Sequence, residues 1–488
     1  MILAWMICVL LIGGFLSWIA SRWNSQLAKW IALVAVIVDF IIISNLWLQH
    51  RGSFGGNQNW IINYQVSWIP TFGISFHVAL DGLSTVMLLL TFFLGILAVL
   101  CSWSEIKERI GFYYFNLLWT LGGICGVFVA MDMFLFYFFW EVMLVPMYFL
   151  IALWGDTNRR YASYKFFIFT QAGGLLMLLA ILALYIIHGQ QTGSYSYDYF
   201  DLLNTSLQPS AARWIMMGFL IAFAIKLPVV PLHNWLPDAH SEAPTAGSLI
   251  LAGLLLKTGA YAIIRFVLTL FPEASAEIAW WAMLFGVIGI VYGAFLAFAQ
   301  TDLKRLIAYT SVSHMGFVIF GVFAFREMAM QGVVMQMLTH GISTGALFVL
   351  AGMLKERLHT RDMNKMGGLW TSMSSMGGIA IVFTMASLGL PVLGNFIAEF
   401  LILMSAFSVN ITLTVIASLG LVFSALYSLR MLQKVFLGEP VTTGHFKDLN
   451  AREWIVMASL TVSIVALGLY PQPVMNTVKG VIQQLVMK

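Results

Sequence analysis

Apolar residues run along this chain in blocks of about 20, separated by short polar stretches, and that is the length a helix needs to cross the hydrocarbon core of a bilayer. Fourteen such segments are predicted, near residues 2–20, 29–48, 82–102, 112–130, 133–154, 162–187, 213–240, 245–269, 275–299, 303–324, 329–353, 370–407, 410–436 and 454–475. The pattern predicts an all-α polytopic membrane protein. Long polar stretches fall only between segments 2 and 3 and between segments 6 and 7, and none reads as a separate soluble domain. The first segment has no basic stretch before it and no small-residue cleavage site after it, so it reads as a spanning helix, not a removable signal.

Segments 7 and 12 are longer than one span requires, and both carry proline. Only four of the twelve prolines lie well inside segments: Pro146, Pro228, Pro231 and Pro391. In "KLPVVPLHNWLPDAH" (Lys226–His240) and "LGLPVLGNFIAEF" (Leu388–Phe400) they fall where a helix should continue. Proline removes a donor and crowds the preceding turn. Backbone groups freed this way survive in a membrane only inside protein or along a polar cavity. Each segment is therefore expected to be two half-helices around an unwound middle. The two breaks are five segments apart, and a five-segment unit repeated once emerges upside down. The expected architecture is two inverted five-helix repeats, each with a broken helix as its fourth member. It divides the chain into 1–111 (helices 1–3), 112–269 (helices 4–8), 270–436 (helices 9–13) and 437–488 (a loop and helix 14). Inverted repeats with broken helices are a feature of transporters.

Composition agrees. The 488 residues are 60% hydrophobic and 9% charged, against about 25% charged in soluble domains. The net charge of +4 is small, and no basic patch interleaved with aromatics points to nucleic acid. Cys8, Cys101 and Cys125 stand apart, with no spacing for a metal, an iron–sulfur cluster or a disulfide. The distribution of charge says more. Alternate loops, starting from the one after segment 1, collect seventeen of the 25 Lys and Arg, from Arg22 and Lys29 to Lys447 and Arg452. The opposite loops collect six: Arg51, Arg213, Arg265, Arg326, Lys479 and Lys488. The remaining two, Lys226 and Lys257, lie within segments. Basic loops stay inside, so the rich side is expected to be cytoplasmic, or the matrix of an organelle. Both termini then face the other side, the periplasm of a bacterial inner membrane.

Ionisable residues deep in a bilayer cost on the order of 2.5–3.5 kcal/mol each and mark ion or proton paths. Those expected here are Asp39, Glu141, Lys226, His233, Lys257, His314, His340 and Glu399. Glu141 precedes Pro146, which leaves the Val142 carbonyl without its usual donor. Lys226 stands at the break in segment 7, and a carboxylate moving toward or away from a buried lysine decides whether it keeps its proton. Lys226 thus reads as a gated proton carrier, served by water and free carbonyls at the break, with Glu141 as its gate. Lys257 has Tyr261 one turn on. Gln336, His340 and Thr344 recur at spacing four and share a helix face. Glu399 follows the break in segment 12, at the place the repeat pairs with Lys226, and reads as a terminal acceptor. The plainer readings are a structural hydrogen bond for Glu141, a snorkelling lysine for Lys226 and packing histidines for His314 and His340. Asp39, outside both repeats, reads as structural.

These residues also carry a resemblance. "FFWEVMLVPMYFLIALWG", "KLPVVPLHNWLPDAHSEAPTAGS", "LKTGAYAIIRF" and "LIAYTSVSHMGF" closely resemble the antiporter-like membrane subunits of respiratory complex I, the proton-translocating NADH:quinone oxidoreductase. The resemblance covers nearly the whole chain. Three subunits of this kind, L, M and N, occur in that complex, with relatives in multisubunit Na⁺/H⁺ antiporters. Glu399, where L and N carry lysine, and "HTRDMNKMGGLW" are similar to the M type, and the chain ends soon after segment 14 without the lateral helix of L. The resemblance implies two linked half-channels: Glu141 and Lys226 as the glutamate–lysine pair, Lys257 as the central lysine, His314 and His340 on the hydrated axis, and Glu399 as the terminal acid. It implies no role for Asp39. It implies that NADH, FMN, iron–sulfur clusters and quinone are bound by other subunits, with no cofactor or metal in this chain, and that L and N flank it. The expected function is proton translocation driven by redox chemistry elsewhere, because a chain without a redox centre cannot supply the roughly 2.3 kcal/mol per charge that 100 mV demands. The alternatives are a subunit of a multisubunit Na⁺/H⁺ antiporter, a non-pumping scaffold, and, more remotely, a carrier of small solutes.

Overall fold

The structure, a computed structural model, describes residues 1–54, 60–439 and 446–486; Lys488, counted in the charge asymmetry, and part of the unit 437–488 lie outside them. The membrane helices are α1 (Ile2–Ala20), α2 (Ser25–Gln49), α3 (Gly82–Glu105), α4 (Ile110–Val129), α5 (Met133–Trp154) and α6 (Arg159–Thr192). Then follow α7a (Pro209–Lys226), α7b (Trp235–Glu242), α8 (Thr245–Leu270), α9 (Ala279–Ala299), α10 (Leu303–Val322) and α11 (Glu327–Leu358). The last are α12a (Ser374–Ser387), α12b (Gly394–Phe407), α13 (Ile411–Val435) and α14 (Ala451–Leu469). Thirteen described helices are long and apolar enough to cross a membrane, and the two halves of α12 together make a fourteenth crossing. Pro228 and Pro231 fall between α7a and α7b, and Pro391 falls between α12a and α12b, where the sequence placed the breaks.

The two five-helix sets share one neighbour pattern. In α4–α8 and again in α9–α13, consecutive helices pack together, the third helix touches both halves of the broken fourth, and the first returns against the fifth. The sets meet where α7b packs on α10 and where α8 packs on α11. The 18-residue windows of α8 and α11 are 100% buried, against 39% for α1 and 28% for α14. The centre of the bundle is therefore shielded from lipid on every side, and α1 and α14 form part of its wall.

One element departs from the expected all-helical chain and one helix lies outside the fourteen predicted segments. Residues between α2 and α3 form an antiparallel hairpin, β1 (Ile62–Ile69) and β2 (Ile74–Leu80), and α15 (Gln472–Val486) follows α14. Both escaped a search for 20-residue apolar blocks because each is short and only one face is apolar. β2 is buried against the bundle and β1 is largely exposed. Polar side chains pin the hairpin. His77 pairs through Nδ1 with Asp198 and through Nε2 with Asn63 at 2.5 Å. Asp132 accepts from the Ser75 N–H at 2.9 Å and caps α5 by accepting from Phe134 and Leu135. α15 buries Val478, Val481 and Ile482 and packs on α3 and α11.

Arg265, counted from the sequence as a loop charge, is buried near one end of α8. It pairs with Asp81, whose other oxygen caps α3 by accepting from the Ser84 N–H at 2.9 Å. On the basic side Asp448 accepts from the N–H groups of Ser375 (2.8 Å) and Met376 (3.1 Å), capping α12a from a distant part of the chain. Burial works against its charge, but these donors prevail and hold the Asp448 carboxyl below the usual range.

Candidate functional site: a buried polar axis

The break in α7 follows from its prolines. Pro228 has no N–H for the Ala224 carbonyl, and Val229 donates to it instead at 2.9 Å. That shift leaves the Ile225 carbonyl free, and the indole N–H of Trp235, from the far side of the break, donates to it at 2.8 Å. The two carbonyls are thus bonded within the break, not to Lys226 as the sequence reading expected. Lys226 ends α7a, is buried, and its ammonium has no hydrogen-bond partner. It lies 5.2 Å from the ring of Trp140 and 5.7 Å from that of Phe166. Glu141 adjoins Trp140 on α5, yet its Oε1 is also buried and without a partner. No hydrogen bond joins Glu141 to Lys226, the lysine it was expected to gate. Gly174 of α6 makes room for the acid: a Cβ there would stand 2.6 Å from Glu141 Oε1.

Beyond the break lies a second group of buried polar side chains. α8 widens into π-helical turns at Leu251–Leu255 and Ile263–Val267, on either side of Lys257. Such turns mark functional positions in many helices. The Lys257 ammonium donates to the Ala252 carbonyl and meets His340 Nδ1 at 2.7 Å. That contact needs α8 and α11 close together, and glycine permits it: a Cβ on Gly341 would stand 3.0 Å from the Gly253 carbonyl oxygen. The His340 and His314 rings are 5.6 Å apart. His314 Nδ1 lies 3.0 Å from Glu399 Oε1, and Gln336 Nε2 is 3.4 Å from each of them. Lys257, His340, His314, Gln336 and Glu399 are all at most 2% exposed. Groups that can give or take a proton therefore run from α8 through α11 and α10 to α12b.

Glu399 needs one correction. It lies within α12b, after its break, whereas Lys226 ends α7a, before its break. The two are not at matching positions of the repeat. Instead Glu399 faces back to its break, where a Cβ on Gly389 (φ +75°) would come 2.9 Å from its Oε2. Val392, three residues on, also has positive φ (+82°). A β-branched residue in that conformation is strained, and strain of this kind gathers at functional sites.

Several contributors were missed in the sequence. Ser387, the last residue of α12a, and Tyr427 of α13 each lie 3.4 Å from His314 Nε2. Ser387 could have been noticed for its place at the break; Tyr427, one aromatic among many, carried no signal. Of the face Gln336–His340–Thr344, the first two join the axis. His233 is buried in the break with Nδ1 unpartnered, its ring edge-on to Tyr292. Asp39 is fully buried on α2, away from the axis, and neither of its oxygens has a partner.

Residues 130–425 match the family described as NADH:quinone oxidoreductase/Mrp antiporter, TM. A NADH-quinone oxidoreductase subunit M of Pseudomonas aeruginosa is 54% identical over 488 residues, covering 98% of this chain and 96% of its own. A chain of respiratory complex I from Thermus thermophilus is 30% identical, with a TM-score of 0.89 and 99% of both chains covered. A chain of the Mrp complex from a Dietzia species shares the fold at 21% identity and a TM-score of 0.87, covering 99% of both chains.

Proposed function

The chain belongs to the NADH:quinone oxidoreductase/Mrp antiporter family of membrane subunits, and from that membership and the buried axis we propose that it translocates protons as a membrane subunit of NADH:quinone oxidoreductase. The observation that carries this reading is the buried series Lys257–His340–His314–Glu399, with hydrogen-bond contacts at its two ends and the two histidine rings packed 5.6 Å apart between them. A series of donors and acceptors shielded from lipid is of little use to a scaffold, since burying polar groups costs stability unless they are paired.

In this reading protons enter at Lys226, with Glu141 as its movable partner, pass along Lys257, His340 and His314, and leave by Glu399. The units 112–269 and 270–436 act as the two half-channels. The catalytic redox steps, with FMN, iron–sulfur clusters and quinone, belong to other subunits, and the L- and N-type homologues flank this chain. The basic side is the cytoplasm of a bacterial inner membrane, with both termini on the periplasmic side. The antiporter alternative has in its favour a fold likeness at 21% identity, against 54% for the Pseudomonas aeruginosa subunit M.

Glu399→Gln tests the exit. Glutamine keeps the size and one acceptor oxygen but carries no proton. In membrane vesicles the variant complex should assemble, while proton transfer at this step drops on the order of 10²-fold and pumping per NADH oxidised falls. Normal pumping would remove Glu399 from the path, and acidification that needs Na⁺ but not NADH would favour an antiporter. Gly174→Ala tests the intake. The new methyl displaces the Glu141 carboxylate, the mobile end of a side chain, and leaves the helix contact in place. Misplacement by about 1 Å can cost 10²-fold, so pumping should fall in an assembled complex, and an unchanged rate would sink the gate.

A further inference from the structure

On the basic side of the membrane a cleft of about 240 Å³ opens between α3, α11 and α14, beside the start of α8. Its walls are graded by depth. In α3 Leu100 lies one turn deeper than Ser104, in α11 Val349 and Met353 lie deeper than Glu356, and in α14 Val456 lies one turn deeper than Arg452. All three helices set apolar side chains toward the membrane centre and polar ones at its surface. That is the order of a phospholipid, chains below headgroup, and a water-borne ligand does not require it. The cleft is smaller than the roughly 300–1,000 Å³ of pockets that enclose a drug-sized molecule, so it takes a headgroup and leaves the chains outside.

Charge decides which headgroup. The walls balance Lys107, Lys355 and Arg452 against Glu105, Glu356 and Glu453, with His359 beside them. Lys355 is held by Asp156 and Glu453 by Arg357. Among the described residues Lys107, Arg452, Glu105 and Glu356 have no ion-pair partner, and Arg452 donates to the Ser104 hydroxyl at 2.5 Å. Two charges of each sign are left, which suits a zwitterion better than an anion. Glu105 specifies the positive end. Its Oε1 accepts from the backbone N–H and the hydroxyl of Thr245, both at 3.0 Å, and caps the start of α8. Its Oε2 is buried and has no partner. An ionised carboxylate oxygen only accepts hydrogen bonds, and burying it without a donor is costly. A primary ammonium supplies that donor; a quaternary one has no N–H to give.

We propose that this cleft binds the headgroup of phosphatidylethanolamine, a phospholipid with a primary ammonium. The ammonium sits on Glu105 Oε2 and Glu356, the phosphate between Arg452 and Lys107, and the chains run down α3 and α14. Pockets that recognise lipid headgroups form between membrane helices on this side of a bilayer. The proposal goes beyond the proton-translocating reading and does not depend on it.

The test places the intact complex in phosphatidylcholine nanodiscs with a trace of phosphatidylethanolamine that carries a photoactivatable diazirine near its glycerol. After illumination, mass spectrometry should find the label on α3 or α14 near Leu100 and Val456. Unlabelled phosphatidylethanolamine should displace it about ten-fold better than phosphatidylcholine with the same chains, the value of one hydrogen bond to a charged group. Glycerophosphoethanolamine, the headgroup without chains, should compete poorly. Glu105→Gln keeps an acceptor for Thr245 and should abolish the preference between the two lipids, whereas a purely capping Glu105 leaves it unchanged. An unchanged preference in that variant overturns the proposal. So does a cleft without label, or equal competition by phosphatidylcholine in the unaltered complex. Stronger competition by phosphatidylglycerol would make the site anionic, and equal competition by glycerophosphoethanolamine would make the ligand water-borne; either overturns it. The unaltered complex decides the matter should Glu105→Gln fail to assemble.

Discussion

Lys226→Ala should stop proton transfer through the intake while leaving the complex assembled. The ammonium is buried with no hydrogen-bond partner, and its near neighbours are the rings of Trp140 and Phe166. Cation–π contact is worth about 2 kcal/mol when desolvated, and relief from burying an unpaired charge offsets that loss, so stability should change little. Removing the proton carrier should slow the step on the order of 10²-fold. The measurement is proton pumping beside NADH:quinone electron transfer in vesicles, after assembly has been checked. Lys226→Arg sharpens it. Arginine keeps the charge and the ring contacts but does not release a proton at any working pH. If arginine restores pumping, the lysine is a fixed charge and the carrier reading fails.

Asp81→Ala should have the largest effect on stability. It removes the partner of Arg265 and the cap of α3 in one change. Arg265 is 4% exposed and sits 4.9 Å from the ring of Trp60. Stranding a buried charge costs about 3–5 kcal/mol, and losing a cap about 1 kcal/mol more. The purified complex should unfold at a clearly lower temperature, or the chain should be missing from the assembled enzyme. Adding Arg265→Met to Asp81→Ala should recover most of the loss, because removing both partners leaves no orphan charge. Were the double variant as unstable as the single one, the cap rather than the ion pair would hold this end of the bundle together.

Much of this protein is written in local pattern. Lipid is a solvent that forbids unpaired backbone groups, so block length set the fourteen crossings and proline placed both breaks, at 227–234 and at 388–393. The expense of charge in lipid was enough to single out Lys226, Lys257 and Glu399 as candidates. The hairpin and α15 were invisible because half-buried elements of eight or fifteen residues leave no 20-residue apolar block. What joined the singled-out residues was decided by tertiary structure alone. α11 is buried on all sides, so its polar face, Gln336–His340–Thr344, does not by itself show which side meets α8 and which meets α12b. Helix rotation was settled by packing, through close approaches such as Gly253 with Gly341. That rotation brought His340 to Lys257, placed His314 beside Glu399 and closed the Trp140 and Phe166 rings around Lys226. Spacing along a chain dictates which residues share a helix face. Only the packing of one helix against another decides what that face will touch.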